Sequence, residues 1–90
     1  MVKRKHIRFY GSVQGVGFRY YADHAANSVG ASGWVRNEYD GSVSMEIQGT
    51  EEQIDSVLSM LGNGRYISID RMEVKEIPFE EEERGFRVIY

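Results

Sequence analysis

The chain has 90 residues, a net charge of −3 at pH 7 and no cysteine. The length predicts one compact domain, residues 1–90, and the missing cysteine excludes disulfides, thiolate catalysis and cysteine-based metal sites. The acidic isoelectric point near 5.3 argues against nucleic-acid binding. No apolar run approaches the length of a membrane helix. We therefore expect a cytoplasmic monomer.

The first predicted elements are a strand, a turn and a helix. Apolar and polar residues alternate in HIRFYGSV, which is typical of a half-buried strand over residues 6–13. A glycine-rich turn with Gly15 and Gly17 follows. Apolar residues then recur at spacings of four, three and four from Phe18 to Val29. This spacing predicts a helix that ends near Gly30.

The middle of the chain predicts a hairpin and a second helix. Asp40-Gly41 is a turn signal between two alternating runs within residues 33–49. Thr50 and Gln53 have the spacing of a capping box, which marks the start of a helix. The apolar residues behind this box lie on one helical face.

Two further strands are predicted in the last third of the chain. The first runs over about 67–77, and its alternation changes phase between Ile69 and Met72, which suggests a bulge. Pro78 places its end or makes it an edge strand. The acidic run 80–83 reads as a solvated loop, and GFRVIY closes the chain as a short strand.

The resulting order is βαββαβ plus a short C-terminal strand. This order predicts an α+β fold of the ferredoxin-like, split βαβ type. Such a fold has an antiparallel sheet with two helices on one face.

The stretch GSVQGVGFR, residues 11–19, is a candidate anion site. Unpaired backbone N–H groups and the positive end of the helix dipole meet at a helix start, and glycines allow a ligand to approach the backbone. Arg19 adds a guanidinium suited to phosphate or carboxylate. The stretch lacks the residues of a P-loop or a dinucleotide fingerprint. The alternative is a plain tight turn, with Arg19 paired to a surface carboxylate.

Asn37 is predicted to lie near this turn. In a split βαβ unit the first two strands are parallel, so their C-terminal ends emerge at one edge, roughly 10 Å apart. Asn37 is near the end of the second strand, where its amide could hold a water molecule. The alternative is a side chain bonded to the adjacent turn.

Two stretches together, GSVQGVGFR (11–19) and GWVRNEYDGSV (33–43), resemble the two signatures of the acylphosphatases. The resemblance covers essentially the whole chain. It implies hydrolysis of acyl phosphates to a carboxylate and inorganic phosphate, without a metal ion or cofactor. It also implies that Arg19 binds the phosphate and that Asn37 positions the attacking water. The implied phosphate cradle consists of the backbone of Gln14, Gly15, Val16, Gly17, Phe18 and Arg19.

Two other functions remain open at this point. One is an acylphosphatase-like domain that binds phosphate or carbamoyl phosphate, as at the N-terminus of hydrogenase-maturation carbamoyltransferases. The other is a ferredoxin-like binding module without catalysis. The acidic charge and the lack of an RNP1-like pattern argue against RNA as its ligand.

Overall fold

The computed structural model describes all 90 residues, Met1–Tyr90. Its elements are β1 (Val2–Ser12), α1 (Phe18–Val29), β2 (Ser32–Asn37), β3 (Val43–Thr50), α2 (Glu51–Gly62), β4 (Ser68–Ile77) and β5 (Phe86–Ile89). The strands form one sheet in the order β4-β1-β3-β2-β5. The predicted βαββαβ arrangement with an added C-terminal strand is therefore confirmed.

The added strand changes the character of the sheet. β1 runs antiparallel to β3 and β4, and β2 runs antiparallel to β3. β5 is parallel to β2, with Val88 opposite Val35. The sheet is therefore mixed, and the expectation of a wholly antiparallel sheet is wrong at this edge. The chain crosses from β4 at the far edge and arrives beside the start of β2, where Gly33 donates to the Gly85 carbonyl, so it enters β5 in the direction of β2.

Both helices pack on one face of the sheet, over a core of 16 buried hydrophobic residues. Alternate positions of β1 and β3 supply one side of this core, and apolar stripes of α1 and α2 supply the other. The centres of the Phe9 and Phe18 rings lie 4.9 Å apart, at the end of the core nearest the turn after β1. Burial of each such side chain stabilises the fold by about 1.5–3 kcal/mol.

The start of α2 confirms the predicted capping box. Thr50 Oγ1 accepts a hydrogen bond of 3.1 Å from the Gln53 N–H, and the Gln53 side chain accepts one of 2.7 Å from the Thr50 N–H. Two otherwise unpaired backbone donors are satisfied in this way. Neither helix, each 12 residues long, has the length and apolar character needed to cross a membrane.

β1 begins at Val2, four residues before the predicted strand over 6–13. The basic N-terminal residues join the strand by pairing with β3 and β4, and two of them also meet an acidic partner. Lys5 Nζ lies 3.0 Å and Lys3 Nζ 3.8 Å from a carboxylate oxygen of Glu51, in the first turn of α2. Alternation alone did not reveal this extension.

β4 contains the predicted bulge. Tyr10 pairs with Arg71 and Gly11 pairs with Ile69, so Asp70 is the extra residue. The bulge explains why the alternation of β4 changes phase between Ile69 and Met72. β4 is an edge strand and ends directly before Pro78, as the sequence predicted.

The acidic run 80–83 is not a fully solvated loop, which corrects the prediction. The segment between β4 and β5 crosses the open face of the sheet, the face that no helix covers. Glu83 accepts hydrogen bonds of 2.6 and 3.3 Å from Arg4, whose side chain is only 3% exposed. Glu46 accepts two more, of 2.9 and 3.2 Å. A buried guanidinium is unfavourable unless it is paired. Pairing with Arg4 therefore favours a position of Glu83 against the sheet.

Candidate active site

The glycine loop, residues 13–17, connects β1 to α1. Its glycines Gly15 and Gly17 have φ values of +72° and +82°. A Cβ at Gly15 would meet no atom within 4 Å, and one at Gly17 would meet the Tyr21 ring at 3.6 Å. Space is therefore available at both positions. Glycine is favoured there because the left-handed backbone strains any other residue by about 1 kcal/mol or more.

The glycine loop and the start of α1 present unused hydrogen-bond donors. The N–H groups of Gly15, Val16 and Gly17 donate to no acceptor in the protein. Gly17 is the N-cap of α1 and supplies no capping side chain, and the first turn carries no acidic residue. The positive end of the helix dipole therefore lacks the usual compensation. Such a loop can bind an anion.

Arg19 lies in the first turn of α1, beside these donors. No carboxylate oxygen lies within 4.0 Å of its guanidinium. The alternative in which Arg19 pairs with a surface carboxylate is thus absent from this structure. The guanidinium carbon instead lies 5.0 Å from the centre of the Tyr90 ring, a cation–π distance.

Asn37 ends β2 and faces the same cavity as Arg19. Its Oδ1 atom is buried and has no hydrogen-bond partner, and no other buried side-chain polar atom of the protein is in this condition. The alternative role, a bond to the adjacent turn, is therefore not seen. A buried acceptor without a partner costs about 1–3 kcal/mol, so an orphan of this kind calls for an explanation.

Gln14 connects the glycine loop to the β2–β3 turn. Its Nε2 donates hydrogen bonds of 2.7 Å to the Glu38 carbonyl and 2.8 Å to the Ser42 carbonyl. The sequence analysis considered only the backbone of Gln14 and missed this side-chain role. A two-donor amide inside a glycine-rich turn was the one available signal, but its acceptors lie 24 and 28 residues further along the chain.

The β2–β3 turn is itself fixed by Asp40. Asp40 Oδ1 accepts hydrogen bonds from the Ser42 hydroxyl (2.6 Å) and the Ser42 N–H (3.0 Å). These bonds, with Arg8 at 3.1 Å from Oδ2, lower the pKa of Asp40 from 3.8 to about 2. The turn therefore holds the two carbonyls that Gln14 contacts.

The glycine loop, α1, β2 and β5 enclose a cavity of about 380 Å³. Ten residues line it: Val13, Gly15, Gly17, Phe18, Arg19, Tyr20, Asp23, Asn37, Val88 and Tyr90. The structure thus brings most predicted site residues together. Gln14 and Val16 do not line the cavity, although they belong to the loop.

Five of the lining residues were not predicted, namely Val13 and four residues outside the stretch 11–19. Tyr20 and Asp23 lie on α1, and Val88 and Tyr90 come from β5 and the residue after it. The last two reach the cavity only because β5 pairs in parallel with β2, a long-range contact with no local sequence signal. The cavity offers backbone donors, one cation and one orphan acceptor, so it can hold a small anion and orient a water molecule beside it.

Comparisons with known proteins find chains of similar sequence and similar fold. The family model described as Acylphosphatase matches residues 5–88. The chain is 44% identical over 86 residues to the acylphosphatase of Oceanobacillus iheyensis. The aligned residues cover 93% of this chain and 94% of that protein. The crystal structure of the acylphosphatase from Bacillus subtilis superposes with a TM-score of 0.89 at 32% identity and covers 100% of both chains.

A larger protein contains a similar unit. The crystal structure of HypF from T. kodakarensis matches 98% of this chain with a TM-score of 0.83 and 33% identity. The match covers only 12% of the HypF chain. The present fold therefore also occurs as a small part of a multidomain protein.

Proposed function

Because the chain belongs to the acylphosphatase family and is an enzyme that hydrolyses acyl phosphates, we propose that the cavity beside α1 carries out this hydrolysis. The backbone from Gln14 to Arg19 and the Arg19 side chain hold the phosphoryl group, and Asn37 holds the attacking water. The observation that carries the proposal is the orphan Oδ1 of Asn37. It is an acceptor without a protein donor, in the wall of the cavity that Arg19 also lines.

The proposed reaction uses water as the nucleophile. Asn37 Oδ1 accepts a hydrogen bond from the water and directs its oxygen at phosphorus. The new P–O bond forms as the bond between phosphorus and the acyl oxygen breaks, so the acyl group departs as a carboxylate. One proton of the water passes to a phosphoryl oxygen, and the second stays on the transferred oxygen, which gives dihydrogen phosphate and balances the charge.

The rate enhancement comes from positioning and electrostatics. A carboxylate is a good leaving group, so neither a strong general base nor a protein nucleophile is required. The glycine-loop amides and Arg19 stabilise the negative charge on the equatorial phosphoryl oxygens. Alignment of the water supplies the remaining part, because near-attack geometry lowers the entropic barrier.

We also propose that this activity needs no metal ion and that the protein acts as a cytoplasmic monomer without nucleic acid as a partner. The chemistry supports the first point, since Arg19 and the backbone amides can supply the charge that a metal would provide. The cysteine-free composition fits a reducing compartment, and the acidic isoelectric point near 5.3 argues against nucleic acid as a partner.

A second candidate is the acylphosphatase-like domain that binds phosphate or carbamoyl phosphate, and the likeness to a 12% part of HypF favours a unit of that kind within a larger protein. The deciding experiment measures release of inorganic phosphate from benzoyl phosphate and from carbamoyl phosphate, with and without excess chelator. We expect hydrolysis of benzoyl phosphate that persists with chelator. Turnover of carbamoyl phosphate alone would favour the second candidate, and binding of phosphate without turnover of either compound would make the chain a binding module.

A further inference from the structure

The cavity has a second end, beyond Arg19. Tyr20 and Asp23 of α1 form one wall of this end, and Val88 and Tyr90 form the other. With the phosphoryl group on residues 13–19 and the water on Asn37, these four residues are the rest of the lining and are left to face the acyl group. The walls therefore determine which acyl groups the enzyme accepts.

Asn27 joins the two walls. Its Nδ2 donates a 3.3 Å hydrogen bond to the Phe86 carbonyl, and its Oδ1 accepts a 3.3 Å hydrogen bond from the Phe86 N–H. These two bonds attach β5 to α1. The same amide donates 2.9 Å to Asp23 Oδ1. Asp23 is thereby oriented by a residue that also positions β5, and no hydrogen bond to Asp23 Oδ2 occurs within the protein.

Asp23 gives the cavity a charge polarity. It is the only carboxylate side chain among the lining residues, and Arg19 is the only cationic one. The two lie at positions i and i+4 of α1, so their Cβ atoms are separated by roughly 5–6 Å. They form no ion pair, and each charge is left to act on a ligand. The phosphoryl end is positive and the acyl end is negative.

We infer that Asp23 selects substrates by the charge of the acyl group, an inference that rests on the proposed function. Acyl phosphates with a neutral or cationic acyl group are accepted. Those that carry a second anionic group, remote from the phosphate, are disfavoured. An added carboxylate would lie several ångströms from Asp23 in a half-open cavity. Coulomb repulsion at that separation corresponds to roughly a fivefold loss of affinity at low salt.

The test measures binding separately from turnover. Two non-hydrolysable aroylphosphonates of equal size are used, one with a 4-carboxylate and one with a neutral 4-carboxamide. Calorimetry gives Kd for each with the wild-type protein, Asp23→Asn and Asp55→Asn. Asp55 is an exposed carboxylate of α2 outside the cavity, so its variant has the same change in net charge.

We expect the wild type and Asp55→Asn to bind the carboxamide roughly fivefold more tightly, and Asp23→Asn to bind both ligands equally. Added salt should reduce the wild-type preference toward unity. Equal Kd values in the wild type, or an unchanged preference in Asp23→Asn, would overturn the inference.

A parallel assay of benzoyl phosphate hydrolysis separates this inference from the proposed function. Charge-dependent binding of the phosphonates without hydrolysis would contradict the catalytic proposal and uphold the role of Asp23. Hydrolysis together with charge-independent binding would uphold the catalytic proposal and contradict the role of Asp23.

Discussion

The side-chain amide of Gln14 donates a 2.7 Å hydrogen bond to the backbone carbonyl of Glu38, the residue that directly follows Asn37. This bond links the loop proposed to hold phosphate with the strand end proposed to hold water. We therefore expect the relative position of the phosphoryl group and the water to depend on the Gln14 side chain, which would contact neither of them.

The first prediction concerns this link. Gln14→Glu keeps the size of the side chain but removes both N–H donors and places a carboxylate against two carbonyl oxygens. We expect kcat for benzoyl phosphate to fall by about 10- to 100-fold, since misplacement by about 1 Å can cost 10²-fold. The Kd for inorganic phosphate should change less, because Gly15, Gly17 and Arg19 remain. Steady-state kinetics and calorimetry provide both values, and an unchanged kcat would contradict the positioning role.

The second prediction concerns Asn37. Asn37→Ala removes the orphan acceptor, so we expect kcat to fall on the order of 10²-fold or more while inorganic phosphate still binds. Because Oδ1 is a buried acceptor without a protein partner, its removal should leave the free energy of unfolding unchanged or raise it. Asn63→Ala, at the exposed C-cap of α2, is the control and should keep full activity. Full activity of Asn37→Ala would refute the water-positioning role.

The third prediction concerns Arg19. Arg19→Ala should lower kcat/KM by on the order of 10³-fold or more, because a guanidinium that stabilises phosphoryl charge has effects of this size. Arg19→Lys should recover only part of the loss, since an ammonium lacks the planar pair of donors. Arg84→Ala, which removes an exposed arginine between β4 and β5, is the matched control. Comparable losses in Arg19→Ala and Arg84→Ala would indicate a general effect of charge and not a site role.

The sequence predicted the features that depend on local signals. The capping box of Thr50 and Gln53, the bulge near Asp70 and the tight strand-to-helix turn around Gly15 and Gly17 all follow from patterns within a few residues. The features that escaped prediction depend on distant contacts. Tyr90 reaches the cavity through the parallel pairing of β5, and Glu83 is drawn inward by Arg4, 79 residues away.

The fourth prediction concerns pH. The pKa of Asp40 is lowered from 3.8 to about 2, chiefly by the side chain and backbone N–H of Ser42. A carboxyl whose pKa is lowered by folding stabilises the folded state. This contribution is complete at a pH above the pKa of the unfolded state and is lost as the pH falls through the pKa of the folded state. We therefore expect the Tm difference between wild type and Asp40→Asn to be constant above about pH 4 and to shrink toward pH 2. Asp55→Asn is the control, and a difference independent of pH over this range would contradict the role of Asp40.

The fifth prediction concerns the ion pair that anchors the segment leading into β5. The side chains of Arg4 and Glu83 are 3% and 9% exposed, so loss of one partner leaves a nearly buried charge. We expect Glu83→Leu to lower the free energy of unfolding by about 3 kcal/mol, the usual scale for breaking a buried pair. The double variant Arg4→Met/Glu83→Leu should recover most of that loss, because it removes a buried guanidinium that would keep only Glu46 as a charged partner, and Glu46 keeps His6 at 3.0 Å.

Denaturant unfolding of the wild type, both single variants and the double variant forms a complete cycle for this pair. Recovery in the double variant would mean that the pair fixes the path of the chain over the open face and adds little net stability. Strictly additive losses would instead show that each side chain stabilises the fold through separate contacts. Residues 78–85 lead into β5, which places Val88 and Tyr90 in the cavity lining. The kcat/KM of the folded double variant therefore measures whether the ion pair also positions β5. A fall in kcat/KM without a fall in stability would assign the pair to the site.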